Sequence, residues 1–265
     1  RAGYTVKRRR NPKISGAAPL IEPESPNHVW TLDFKGWWKT GDDKICEPFT
    51  VFDSHSRYLL YCQPVPRRTT GVIWDILVDL FQKYGLPERC RSDNGPPFAS
   101  IGIGRMSPLS INLIKAGIIP EWTRPGKPQD NGRHERMHRT MKAEVALIPE
   151  PTLQKQKEQL KEFQNYYNDI RPHEALQYRT PSQAYKPSKR IWSGVEHQPI
   201  YSSEYILRKV DTRGQISVYG YTFFISERLR REYVGLLEEA KGTYKVFYGP
   251  IFLGMFDMLN GFTKF

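Results

Sequence analysis

The chain has 265 residues, 38% of them hydrophobic, and its 40 Lys and Arg against 28 Asp and Glu give a net charge of +12. No apolar run approaches the roughly 20 residues of a membrane span, and no hydrophobic segment opens the chain, so the expectation is a soluble, cytoplasmic protein without membrane contact. The basic excess points to a polyanionic partner, nucleic acid ahead of a lipid surface. Cys46, Cys62 and Cys90 are odd in number and widely spaced, which speaks against a disulfide framework or a zinc knuckle and for free thiols in a reducing compartment.

In chain order, residues 1–27 are rich in Pro, Gly and cations and read as a basic arm; Arg8, Arg9 and Arg10 are its densest point and its candidate phosphate contacts. From Val29 to Trp38 the sequence alternates, with Trp30, Leu32 and Phe34 on one face and Thr31, Asp33 and Lys35 on the other. This predicts a strand that carries an acid. Strands around Phe49–Val51 and Arg57–Val65 follow across short turns and complete an antiparallel meander. A helix is expected from Thr70 to Tyr84, stopped by Gly85. Glu88–Ser92 predicts a short strand ending in Asp93-Asn94-Gly95, where an acid beside a glycine turn can reach a ligand or simply build the turn. A helix over Ser107–Ala116 and a strand over Ile118–Trp122 come next, giving a mixed sheet covered by helices.

The stretch Arg124–Ile148 concentrates the chemistry. After the Pro-Gly and Asp-Asn-Gly turns, Met137, Met141, Val145 and Ile148 recur at helical spacing as one apolar stripe, while Glu135, Arg139 and Lys142 form another. The tract Arg124–Lys142 holds six cations, Arg124 and Lys127 among them, against Asp130 and Glu135. A carboxylate on a packed helix beside cations suits a metal ion on one side and a phosphate chain on the other. The same residues also spell H-E-x-x-H, with His134, Glu135 and His138. That is a zinc-peptidase signature, for which Glu158, Glu162 or His173 would be the third ligand; otherwise these are two solvated helix histidines.

A long amphipathic helix is expected over Thr152–Ile170, with Leu153, Leu160, Phe163, Tyr167 and Ile170 inward. Residues 28–186 then form the principal domain and residues 187–203 a linker. Residues 204–265 hold six short strand patterns and are expected to form a small all-β barrel.

Asp33, Asp93 and Glu135 are three acids that a mixed sheet could gather, and three carboxylates around one pocket need divalent cations. The blocks LDFKGWW, RSDNGPPF and RPGKPQDNGRHERMHRTMK around them resemble the three signature blocks of the DDE transposases, in the bacterial insertion-sequence branch close to retroviral integrases. YYNDIRPHEALQYRTPSQAY, with Asn168, Arg171, Pro172, His173, Leu176, Thr180 and Pro181, resembles the tail of the same core. The resemblance implies an α/β, ribonuclease-H-like core in which Asp33, Asp93 and Glu135 are catalytic and hold two Mg2+ ions, Mn2+ substituting. It further implies cleavage at transposon ends, joining of the 3′-hydroxyl to target DNA, and a homodimer or higher oligomer on double-stranded DNA. Arg139 and Lys142 match the family's basic positions that contact transposon-end DNA. The interval between Asp93 and Glu135 is longer than in many members, the insertion lying over Ile101–Ser110. A non-catalytic DNA-binding relic, or a ribonuclease or junction resolvase on the same fold, would use the same residues differently.

Overall fold

The computed structural model describes residues 20–258 and 261–264. Its first half is a five-stranded sheet. β1 (Val29–Phe34), β4 (Pro48–Asp53) and β5 (Leu59–Pro64) form the expected meander, interrupted by a two-residue hairpin of β2 (Trp38–Lys39) and β3 (Ile45–Cys46). β6 (Arg89–Ser92) and β7 (Ile119–Trp122) add in parallel on the other side of β1, giving the order β5-β4-β1-β6-β7. The change from antiparallel to parallel pairing follows from the connections. Turns link the first three strands, whereas β6 and β7 are reached through the helices α1 (Thr70–Tyr84) and α2 (Pro108–Lys115).

Period-two alternation sorts the side chains onto two faces. Trp30, Leu32, Phe49 and Val51 point into one core with Ile73, Leu77 and Phe81 of α1 and Leu109 and Leu113 of α2. Phe52, Leu59 and Cys62 point into the other, against α3 (Gly132–Met141) and α4 (Leu153–Asp169), which contribute Met137, Met141, Leu160, Phe163 and Tyr167. Asp33 pairs with Thr50 across the β1–β4 ladder. It therefore lies on the face that α3 covers.

Two helix ends depart from expectation. The α3 helix continues into one wide π turn at Lys142–Ala146; the change of register leaves Met137, Met141 and Val145 buried and turns Ile148 out to solvent. At the end of α4, Ile170 is likewise exposed. The inner face of α4 instead includes polar groups fitted to backbone. Asn168 accepts from the Leu59 amide at 2.8 Å and donates to the Leu59 carbonyl at 3.0 Å, and Gln164 donates to the same carbonyl at 2.8 Å. A primary amide reproduces the donor and acceptor of a neighbouring strand, so the outer edge of β5 is satisfied without one.

After the short α5 (Pro181–Ala184), residues 187–203 form no helix or strand, but they are tied down. The Leu86 amide donates to the Arg190 carbonyl at 2.7 Å, and the Trp192 ring lies 6.2 Å from that of Trp74 and 6.1 Å from Phe81. Beyond them, β8 (Tyr205–Lys209), β11 (Tyr233–Ala240), β12 (Thr243–Tyr248), β13 (Ile251–Asp257) and β14 (Gly261–Lys264) make an antiparallel sheet in the order β14-β13-β12-β11-β8, accompanied by a hairpin of β9 (Gln215–Val218) and β10 (Tyr221–Phe224). The six strand patterns fall where the alternation put them, and β14 is additional. This all-β part is not separately cored: Ile103, Met106, Ile111, Ile114 and Trp122 from the first half join Val234, Leu236, Val246 and Leu253 in one cluster. The stretch read as an insertion thus serves as a docking surface. Gly104 sits there at φ 57, where an added Cβ would come within 2.6 Å of Leu253.

Asn168→Ala would strand both backbone groups of Leu59 in a dry environment. It is expected to lower unfolding free energy by about 2 kcal/mol, read from urea denaturation, whereas exposed Gln154→Ala should change it little.

Candidate active site

The ends of β1 and β6 and the first turns of α3 meet in a cleft of about 410 Å³ lined by Asp33, Asp93, Asn94, Thr123, Arg124, Lys127, Asn131 and Glu135, with the Pro125-Gly126 turn. The structure therefore brings together all three acids and two of the cations singled out in the sequence. Arg139 and Lys142 are exposed further along the helix and are not among the lining residues. Arg8, Arg9 and Arg10 lie outside the described residues.

Each acid is held by its own strand end or turn. Asp33 Oδ1 accepts from the Phe34 amide at 2.8 Å, and Asp93 Oδ1 accepts from the Gly95 amide at 3.0 Å. Asn94 donates to the Thr123 carbonyl at 2.7 Å and so fastens the Asp93 turn to the end of β7. Arg124 is committed to Asp130, by its amide at 2.9 Å and its guanidinium at 2.7 Å. It stabilises the loop at the rim of the cleft and is not free to swing.

The carboxylates affect one another. Burial first, then the charges of Asp93 and Glu135, push the Asp33 pKa up to about 7; the amide of Phe34 and the charge of Lys35 oppose the rise. Among the described residues no three His, Cys, Asp or Glu stand close enough to ligate one ion as they are. The acids share a cleft without closing into a cage. Their repulsion is nonetheless a deficit of positive charge, and with oxygen donors alone it suits a hard divalent cation.

The two histidines of the H-E-x-x-H match are not solvated, as the simpler reading supposed, nor are they available to zinc. His134 is 0% and His138 7% exposed, and their Nε2 atoms lie 2.7 and 2.8 Å from the Thr50 hydroxyl. That hydroxyl also donates to the Asp33 carbonyl at 3.0 Å. Its single proton being used there, both imidazoles are assigned as Nε2–H donors. This leaves His134 Nδ1 as a buried acceptor without a partner among the described residues, the cheaper kind of orphan. Burial lowers the pKa of both rings, that of His138 to about 3, so both are neutral. His138 Nδ1 faces Asp33 Oδ2 at 3.7 Å. Glu158 and Glu162 line a different groove, between α1 and α4, and His173 packs on Tyr167 at 4.8 Å.

Thr50, His134 and His138 thus locate α3 against β1 and β4, a role that sequence reasoning missed. The i, i+4 spacing of the histidines was visible, but the strand register that sets Thr50 beside Asp33 was not. Lys35 was assigned to the same strand face as Asp33, yet not to its electrostatics.

Residues 116–181 match a family described as "Integrase core domain". An uncharacterized 31.7 kDa protein of insertion element IS407 from Burkholderia multivorans is 26% identical over 191 residues, which cover 69% of this chain and 64% of that protein. The Gag-Pro-Pol polyprotein of Mason-Pfizer monkey virus is 31% identical over 124 residues, covering 46% of this chain and 6% of the polyprotein. The chain therefore spans under two thirds of the length of either relative. Among solved structures, a chain of the simian T-cell lymphotropic virus intasome in complex with PP2A regulatory subunit B56 gamma has the same fold. The TM-score is 0.52 at 16% identity, covering 91% of this chain and 84% of that one.

The raised Asp33 pKa yields a signed prediction. The folded value, about 7, lies above the ordinary 3.8, so the ionised side chain opposes folding above pH 7, and the penalty is relieved as pH falls from 7 towards 3.8. In chelator, Asp33→Asn should raise unfolding free energy at pH 8 by roughly 2–4 kcal/mol, a gain that disappears near pH 4. Millimolar Mg2+ should stabilise the parent and not the variant. A gain independent of pH would show that repulsion is not its cause.

Proposed function

From the match of residues 116–181 to an integrase core domain and the similarity to an insertion-element protein, we propose that this chain is a DNA transposase of the DDE type, related to the retroviral integrases, cleaving phosphodiesters at transposon ends and joining the freed 3′-hydroxyl to target DNA. The observation that carries the proposal is the gathering of Asp33, Asp93 and Glu135, from two strand ends and a helix, around one cleft. In this reading the three acids would hold two Mg2+ ions, with Mn2+ able to replace them. Bound there, the ions would neutralise charge on the attacking and leaving oxygens of a phosphodiester.

The protein's own part is positioning. Asp33 and Asp93 are set by the neighbouring amides of Phe34 and Gly95, Glu135 by the burial of the opposite face of α3, and Lys127 at the rim supplies a phosphate contact. Arg139 and Lys142, exposed along the same helix, continue that track over the transposon end, and Arg8, Arg9 and Arg10 would follow the backbone beyond it. Two ends must be brought together, so the active form is a homodimer or larger assembly on DNA. We read residues 28–186 as the catalytic domain, 187–203 as its connection and 204–265 as a small barrel. The contacts of β9 with β8 and of β10 with β14 support closure.

Glu135→Gln tests the assignment. Cleavage and joining of labelled oligonucleotides in Mg2+ should fall about a hundredfold or more, with duplex binding nearly intact, as when one electrostatic catalytic group is lost. An equally active variant would remove Glu135 from the site.

A further inference from the structure

We propose that Arg57, Arg133, Arg136 and Arg171, gathered beside Tyr167 and His173, form a second phosphate site on the flank of α3, which takes a backbone phosphate of duplex DNA; the choice of ligand rests on the transposase reading.

The cations come from three parts of the chain. Arg57 is in the turn between β4 and β5, Arg133 and Arg136 are one turn apart on α3, and Arg171 follows α4. Arg57 and Arg133 donate to the same Ser54 carbonyl, at 3.1 and 3.2 Å, and the charges of Arg57, Arg136 and Arg171 all act on the buried Tyr167 hydroxyl. None of the six lines the carboxylate cleft. At about 100° per residue, Arg136 is displaced by that angle from Glu135, so the basic flank adjoins the acid face of the helix.

The charges do not balance. Arg133 pairs with Glu22 at 2.9 Å, and Arg171 pairs with Glu144. Arg57 donates to the Ser54 carbonyl at 3.1 Å and makes no ion pair among the described residues; the side chain of Arg136 has neither a hydrogen bond nor an ion pair among them. Two of the four cations thus have an ion-pair partner and two have none among the described residues. Burial first, then the charges of Arg133 and Arg136, bring the Arg57 pKa down to about 10, with Tyr167 and, more weakly, Asp53 opposing the fall.

Arg57 is also held at φ 66, a left-handed conformation that strains a non-glycine residue. A desolvated, strained arginine facing other cations is retained at a cost to stability. An anion seated among the guanidinium groups removes the repulsion and uses their free N–H donors. The His173 ring packs on Tyr167 at 4.8 Å and keeps a buried Nε2 without a partner among the described residues, a further polar atom left over in this cluster. One diester phosphate, with its single negative charge, offsets one of the two cations that lack an ion pair, and a duplex crossing α3 would meet this site on one side of the helix and the carboxylates on the other.

The test is fluorescence anisotropy of the full chain with a labelled duplex across a salt series. Arg136→Gln is exposed and should fold, and Arg57→Gly relieves the positive φ; Lys83→Gln on α1 is the charge-loss control. Losing the phosphate contact should lower the slope of log K against log salt by about 0.9, for Arg136→Gln and for the double variant that combines it with Arg57→Gly, with Arg136→Lys restoring it and the control unchanged. In parallel, inorganic phosphate should raise Tm above matched chloride for the parent and not for the double variant. A parental slope in both variants, or an equal loss in the control, overturns the site and leaves the transposase reading standing. A parent that binds no duplex at any salt overturns both.

Discussion

Three carboxylates around one cleft repel one another, and everything that brings Asp33, Asp93 and Glu135 together acts against that repulsion. The parallel pairing of β1 with β6 places the ends of two acid-bearing strands side by side. The α3 helix is pressed onto them by Met137 and Met141, each worth roughly 1.5–3 kcal/mol when fully buried. It is oriented by two imidazoles that converge on the Thr50 hydroxyl. Apolar burial supplies the free energy and the hydroxyl supplies the register, so the carboxylate of Glu135 is held where water alone would let it drift away from Asp33.

Polar keystones recur where the polypeptide could otherwise slip. Asn168 and Gln164 cap the edge of β5, and Asn27 joins the start of β1 to Asp53 at 2.6 Å and to the Lys186 carbonyl at 2.7 Å. Arg91 and Glu121 pair at 2.8 Å across the β6–β7 ladder where both are buried. Such groups are costly if half-satisfied and specific if complete. They account for the tail block of the first half as well. Asn168 is structural, while Arg171 and His173 from the same block stand at the basic flank. The all-β half is bound to this frame through Trp122 and Ile103–Met106, which makes the stretch following the Asp93 turn a mechanical link between the cleft and the second sheet.

Local periodicity was enough for most elements. The alternation Trp30-Leu32-Phe34 against Thr31-Asp33 survives in the structure because both faces of β1 are covered, one by α1 and the other by α3 and α4. The apolar stripe of α3 held as far as Val145 and failed at Ile148, where a π turn breaks the 3.6-residue period on which the expectation depended. Likewise, Ile170 follows the helical spacing of α4 but is its C-cap: its amide closes the last turn on the Tyr166 carbonyl while its side chain turns out to solvent. The barrel expected at the end is visible as a five-stranded sheet and a hairpin, since strand patterns specify elements and not their closure.

What the sequence determined by itself was chemical: three acids in strand-end and helix contexts, a basic tract around one of them, and a resemblance carried by the blocks that contain them. Tertiary structure decided which of these groups meet. It placed Arg124 in a pair with Asp130, buried His134 and His138 against Thr50, set Arg139 and Lys142 beyond the cleft, and collected arginines from three separate segments on one flank of α3. Periodicity reports which way a side chain faces along its own element. Meetings between elements depend on strand register and helix packing, long-range terms that no local pattern records.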